Sequence, residues 1–112
     1  MSKSSAVTIT DPVLAEIVRR LVSAYGPDQV ILFGSRARGE AGPDSDYDLM
    51  VIVPDEADPE RSRSRLAYQA LRGTGTAADV LVSTRSEFAR RAAVVASLPA
   101  QVLREGRVLY AA

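Results

Sequence analysis

An α/β domain with a small mixed sheet flanked by helices is the fold class that this 112-residue chain predicts. Three observations point there: apolar residues recur at helical spacing between Asp11 and Gly26, short apolar and β-branched runs stand between glycine and proline, and the two patterns alternate. The length suits one compact domain, read as residues 11 to 112 behind a flexible leader over residues 1 to 10.

The elements follow in order. Asp11 with Pro12 is an N-cap followed by proline at the first helical position, and Leu14, Ile17, Val18, Leu21 and Val22 continue the helix until Gly26 and Pro27 stop it. Gln29 to Phe33 reads as a buried strand ending at Gly34, and residues 34 to 45, rich in glycine and arginine, as a functional loop. Asp46 to Val53 is a second strand closed by Pro54, with a solvated acidic connection after it. A helix runs from about Pro59 to Arg72, with Leu66, Ala67, Ala70 and Leu71 toward the core and Gly73 at its end. Residues 77 to 83 give a third strand. Thr84 to Ser86 cap a helix over roughly Arg85 to Ser97, Pro99 opens another to about Glu105, and Arg107 to Tyr110 form a short terminal strand.

Composition removes several function classes. With 14 basic and 14 acidic residues, bulk charge points to neither nucleic acid nor membrane as a partner. The apolar runs, such as Leu49 to Val53, fall far short of the roughly 20 residues of a membrane span, and Met1 to Thr10 has no secretory apolar core, so the expected location is the cytoplasm. The chain has no cysteine, which excludes disulfides, thiolate zinc sites and a cysteine nucleophile. Histidine is absent too, so a metal here is held by oxygen, and magnesium or manganese is the expected ion.

One segment carries chemistry. Gly34-Ser35-Arg36-Ala37-Arg38-Gly39 follows the first strand, and Ser45-Asp46-Tyr47-Asp48-Leu49 opens the second. Side chains alternate along a strand, so Asp46 and Asp48 project from one face with α-carbons about 6.5 to 7 Å apart and can converge on one ion or a close pair. Two carboxylates so close repel one another, and a divalent cation reverses that penalty. Asp79 stands in an apolar run, where a carboxylate is costly unless paired or ligated. All three aspartates meet at one sheet edge if the second and third strands are parallel neighbours. The first strand must then run antiparallel to the second to bring Gly34 and Ser35 there. That edge offers three metal ligands, Asp46, Asp48 and Asp79, with backbone N–H groups, the Ser35 hydroxyl and the Arg36 and Arg38 guanidiniums for phosphate. The set suits a nucleoside triphosphate and two cations about 3.5 to 4 Å apart, arranged for in-line displacement. A P-loop is excluded, because Gly39 is followed by Glu40 and Ala41 rather than lysine and a hydroxyl residue.

The string from Gly34 to Gly39, six intervening positions and Asp46-Tyr47-Asp48 resembles the Gly-Ser-x-Ala-Arg-Gly...Asp-x-Asp signature of the minimal nucleotidyltransferases (MNT) of the DNA polymerase beta-like superfamily. The resemblance covers about Val13 to Ser83, and the ending Glu105 to Tyr110 is also similar. It implies a nucleotidyltransferase fold, with Gly34 and Ser35 on the β,γ-phosphates, Asp46 and Asp48 on both metals, and Asp79 as third ligand and base for the attacking hydroxyl. Arg36 fills the variable position of the signature. The resemblance further implies transfer of a nucleoside monophosphate, AMP from ATP with two Mg2+ (or Mn2+), onto a partner's hydroxyl. Short relatives commonly pair with a helical HEPN protein as the antitoxin of a toxin-antitoxin system.

Plainer readings stand beside this one. Gly34, Gly39, Ser45 and Asp46 are also ordinary turn residues, and Asp79 is also a candidate structural partner for an arginine. Arg61, Arg63 and Arg65 spread over about 200° of a helix and read as a solvated face paired with Glu56, Asp58 and Glu60, not a nucleic-acid patch. Tyr25, Tyr47, Tyr68 and Tyr110 read as packing or rim residues. Two rival functions remain open: a non-catalytic nucleotide-binding scaffold that neutralises its partner by contact, and an RNA-modifying transferase.

Overall fold

The computed structural model describes residues 9–42, 45–57 and 64–112. Four strands, β1 (Gln29–Phe33), β2 (Tyr47–Val53), β3 (Ala78–Thr84) and β4 (Arg107–Ala111), form one mixed sheet in the order β3-β2-β1-β4. β1 is antiparallel to β2 and to β4, and β2 is parallel to β3. Five helices accompany it: α1 (Pro12–Tyr25), α2 (Gly34–Arg38), α3 (Ser64–Ala70), α4 (Arg85–Ala92) and α5 (Leu98–Glu105). This is the small α+β architecture expected, with the strand directions that the convergence of the aspartates demanded.

Helix α1 has local causes at both ends. The Asp11 carboxylate accepts from the N–H groups of Val13 (2.9 Å) and Leu14 (3.3 Å), and Gly26 closes the helix in the left-handed region at φ 55°. Its buried stripe, Leu14, Ile17, Val18, Leu21 and Tyr25, packs on Val30, Leu32, Leu49, Val51 and Val53, with Ala67 of α3 completing that layer. The opposite sheet face carries a smaller cluster, in which Ile31, Met50 and Ile52 meet Phe88 of α4 and Val102 of α5.

Several boundaries differ from the sequence reading. The segment expected as a loop over 34 to 45 begins with the one-turn helix α2, because Gly34 (φ 76°) swings the chain out of β1 and Gly39 (φ 76°) ends the turn. The second strand starts at Tyr47 rather than Asp46. β1 leaves the sheet at Gly34, its last residue Phe33 pairs with Asp48, and no β1 residue lies opposite Asp46. α4 ends at Ala92, short of Ser97, since Ser97 is the N-cap of α5 and accepts from the Ala100 N–H. Within the expected helix 59 to 72, α3 spans Ser64–Ala70; Ala67 is buried, and Leu66 and Leu71 pack partly on the core. Residues 58–63 lie outside the described residues, and with them the pairing expected of Arg61, Arg63, Asp58 and Glu60. Of the leader, Ile9 and Thr10 are described, and Ile9 packs against the main core.

Candidate active site

The site forms where β1 ends and β2 and β3 begin. Asp48 pairs in register with Asp79 on the neighbouring parallel strand and with Phe33 on the antiparallel one. Residues paired in register share a sheet face, and by alternation this is the face of Met50 and Ile52. Asp48 is half-buried, whereas Asp46 and Asp79 are exposed. Gly34 lies against the Asp48 carboxylate: a Cβ there would come within 2.2 Å of Asp48 Oδ2, and the backbone sits at φ 76°. Glycine is therefore favoured by conformation, and any larger residue would also displace the Asp48 carboxylate from its present position.

Electrostatics connect the three carboxylates. Burial pushes the Asp48 carboxyl above its ordinary range, and repulsion from Asp79 and then Asp46 pushes it further, with Arg38 opposing weakly. No hydrogen bond or ion pair reaches the side chains of Asp46, Asp48 or Asp79 among the described residues, so the arginine pairing considered for Asp79 is absent there. In the arrangement seen, no group of three acidic side chains among the described residues closes to metal-binding distance. The donors nonetheless fit a hard divalent cation, because they are oxygen ligands of like charge, already repelling, with only the weak opposing field of Arg38 on Asp48. Both outer carboxylates are exposed and unbonded, so turning them onto an ion breaks no contact.

The four residues expected from the sequence to hold phosphate divide into two groups. Gly34 and Ser35 stand at the site edge, and the Ser35 hydroxyl makes no hydrogen bond among the described residues. The two guanidiniums are engaged elsewhere. Arg38 pairs with Glu40 (2.8 Å) and with Glu105 at the end of α5 (3.1 Å). Arg36 donates twice to the Ser45 carbonyl, from Nε (3.0 Å) and Nη2 (2.7 Å), and lies 4.1 Å from the centroid of the Tyr47 ring.

Two features escaped the sequence reading. Tyr47, taken as a packing residue, also donates from its hydroxyl to Asp11 at 2.5 Å. This bond is the main reason the Asp11 carboxyl lies below its ordinary value, while burial and then the same bond raise the Tyr47 phenol. The available signal was a tyrosine between two strand aspartates, which alternation turns to the opposite, apolar face. The second feature is a cleft of about 520 Å³ between α3 and β3, lined by Tyr68, Arg72, Thr74, Thr76 and Asp79 among others. It depends on the placement of α3 against an edge strand, which no local pattern encodes.

With this geometry in hand, comparisons with known proteins carry weight. The sequence pattern of the family described as nucleotidyltransferase domain matches residues 13–109. Among solved structures, a candidate nucleotidyltransferase from Sulfolobus solfataricus superposes with a TM-score of 0.59 at 22% identity, over 88% of this chain and 78% of that one. A toxin-antitoxin structure solved with AMP-PNP superposes with a TM-score of 0.55 at 18% identity, over 93% of this chain and 75% of that one. At these identities the two neighbours speak for the fold alone. A search of curated proteins finds no match. The family pattern spans nearly the whole chain and includes every residue of the acidic edge, so the chain belongs to the nucleotidyltransferase domain family.

Proposed function

We propose that this chain transfers a nucleoside monophosphate, AMP from ATP, to a hydroxyl of a partner protein, and that it acts in the cytoplasm as the antitoxin of a HEPN/MNT pair. The observation that carries the reading is the register of Asp48 with Asp79 on parallel strands, with Gly34 and Ser35 at the end of the strand on the other side of β2. The sheet order thus sets the Gly34–Ser35 turn and Asp79 on opposite flanks of Asp48. In-line displacement needs that separation, because the entering oxygen and the departing pyrophosphate lie on opposite sides of the α-phosphorus.

In this scheme Gly34 and Ser35 hold the β,γ-phosphates through backbone N–H groups and a hydroxyl. Asp79 accepts the proton of the acceptor hydroxyl as its oxygen bonds to the α-phosphorus. The bond from that phosphorus to the β-phosphate bridging oxygen breaks, and pyrophosphate leaves past Ser35. Asp46, Asp48 and Asp79 would hold two Mg2+ ions, which when bound would supply charge neutralisation for the attacking and leaving oxygens. The cleft beyond Asp79, with the Tyr68 ring 82% exposed at its wall, offers room for the residue that bears the acceptor hydroxyl.

The toxin-antitoxin neighbour lends support to a protein partner through fold likeness, and among the described residues no helix is long and apolar enough to cross a membrane. The test is mass spectrometry of a HEPN partner after incubation with the chain, Mg2+ and each of the four triphosphates in turn. Added AMP with ATP is the expected result, and no adduct with any triphosphate counts against transfer. A second reading, neutralisation by contact without turnover, draws support from the open spacing of the three carboxylates. An Asp46→Asn, Asp48→Asn double variant separates the two, since contact alone survives it and transfer does not.

A further inference from the structure

Of the three carboxylates, Asp46 alone lies outside the strands, and the peptide after it is tied toward β3 by the Tyr47 N–H, which donates to the Ala77 carbonyl (3.2 Å). Asp48 and Asp79 sit within β2 and β3, fixed by ladder hydrogen bonds, but β1 has already left the sheet where Asp46 would find its partner. The peptide before Asp46 is held by a different device. The Ser45 carbonyl accepts two hydrogen bonds from Arg36, and that carbonyl shares one planar peptide unit with the Asp46 N–H. Fixing the oxygen fixes the plane from which Asp46 projects.

Arg36 is itself held in place. Its guanidinium carbon lies 4.1 Å from the centroid of the Tyr47 ring, Tyr47 is 7% exposed, and its hydroxyl donates to Asp11 at 2.5 Å. The second oxygen of Asp11 caps the first turn of α1. A continuous brace therefore runs from the start of α1 through Asp11, Tyr47 and Arg36 to the peptide before Asp46. Tyr47 suits this place because alternation sends its ring to the α1 face while its two neighbours serve the opposite one.

We propose that Arg36 is a positioning residue that sets Asp46 for metal binding by gripping the Ser45 carbonyl, rather than a ligand of the triphosphate. The inference rests on the reading of Asp46 and Asp48 as metal ligands. Arginine is suited to the task because its flat fork delivers two donors to one acceptor while its face lies on an aromatic ring. Lysine supplies a point charge on a flexible stem.

The test uses Mn2+ alone, titrated into the full chain without nucleotide and followed by the paramagnetic signal of the free ion, then repeated with a non-hydrolysable ATP analogue. Asp46→Asn is the reference for the metal reading. Arg36→Met is expected to weaken Mn2+ binding about tenfold to a hundredfold, as when a group that orients a metal ligand is removed. Arg36→Lys should recover part of that loss, and Tyr47→Phe, which keeps the ring but cuts the tie to Asp11, should lose less than Arg36→Met. Melting of each metal-free variant shows that the folded protein is being titrated, and Arg36→Lys and Tyr47→Phe keep the question answerable should Arg36→Met not fold. Mn2+ affinity within twofold of the parent in the folded Arg36 variants, with Asp46→Asn strongly impaired, overturns the positioning role. So does a loss confined to the ATP analogue, which makes Arg36 a phosphate ligand. An Asp46→Asn variant that binds Mn2+ as well as the parent removes the metal reading itself, and the brace proposal falls with it.

Discussion

The two faces of the sheet are built from the same strands and serve opposite ends. Toward α1 and α3, Val30, Leu49, Val51 and Val53 are each 0% exposed, and the layer is closed. Toward α4 and α5, Ile31, Met50 and Ile52 are covered, but Leu81 is 40% exposed, and the row ends in Asp48 and Asp79. The difference teaches where stability and chemistry reside: the closed face fixes the strands, so the open one can hold neighbouring carboxylates that repel each other. Substitutions on the two faces should then fail in different assays.

The largest effect is expected at the open face. Asp48→Asn should cut nucleotide transfer by about two to four powers of ten, the loss expected when metal stabilisation worth several kcal/mol is removed. Melting of the metal-free protein should stay level or rise. The sign follows from the Asp48 carboxyl lying above its ordinary value: the folded protein binds that proton more tightly than the unfolded chain, so the ionised group opposes folding at neutral pH. That opposition fades as pH falls through the raised value, and the gain in melting temperature from Asp48→Asn should shrink over the same interval. A melting temperature that drops sharply in Asp48→Asn would erase the distinction between the faces.

On the closed face the order reverses. Leu49→Ala removes a side chain with no exposure at the centre of the main core and should cost about 2 to 5 kcal/mol of stability, read by urea denaturation. Leu81→Ala, on the neighbouring strand but on the open face, should cost less than about 1 kcal/mol. Equal losses at the two positions would mean that the open face is packed as tightly as the closed one.

Gly34 and Gly106 sharpen the same comparison. A side chain at Gly106 would meet the Val102 carbonyl and Ile31 Cγ2 (2.6 Å) where α5 packs on β1, so Gly106→Ala must move backbone and should appear as lost stability. At Gly34 the obstacle is the end of the Asp48 side chain, which can swing away, so the backbone strain at positive φ costs only about 1 to 2 kcal/mol. Transfer should suffer disproportionately there, because the displaced group is a carboxylate of the site. Gly34→Ala with full activity would show that the position of Asp48 against the turn has no bearing on chemistry.

Much of this molecule was legible in the sequence because its signals are local or forced. Asp11, Pro12 and Gly26 delimit α1 through contacts within a few residues, and each strand is a short apolar run between breakers. The strand directions were forced by the requirement that Asp48, Asp79 and Gly34 share an edge, a constraint on topology that the pairing satisfies. What could not be read depends on partners distant in sequence. The departure of Asp46 from β2 is decided by where β1 ends, and α2 is too short for a periodicity to show. Arg36 and Arg38 look alike as cations beside a glycine-rich turn, yet one grips the Ser45 carbonyl and the other reaches Glu105, 67 residues away. Charge alone did not separate a brace from a ligand.

The smallest predicted effect lies behind the closed face, on the outer side of α1. Glu16 pairs with Arg19 (2.5 Å) and Arg20 (2.8 Å), and Arg20 also donates to the Ala70 and Arg72 carbonyls, tying α1 to the end of α3. Hydrogen bonds from Arg19 and then Arg20 hold the Glu16 carboxyl at about 2, well below its ordinary 4.5. A carboxyl lowered by folding stabilises the protein above its unfolded value and loses that contribution as the pH drops through the folded one. The pair is solvent-screened, so Glu16→Gln should lower the melting temperature by a few degrees at most at neutral pH. The gap between parent and variant should narrow below about 4.5 and close near 2, and salt should narrow it at any pH. A gap that persists unchanged in acid would mean that Glu16 contributes through packing of its stem rather than through charge, and that the link between α1 and α3 is carried by Arg20 and the carbonyls alone.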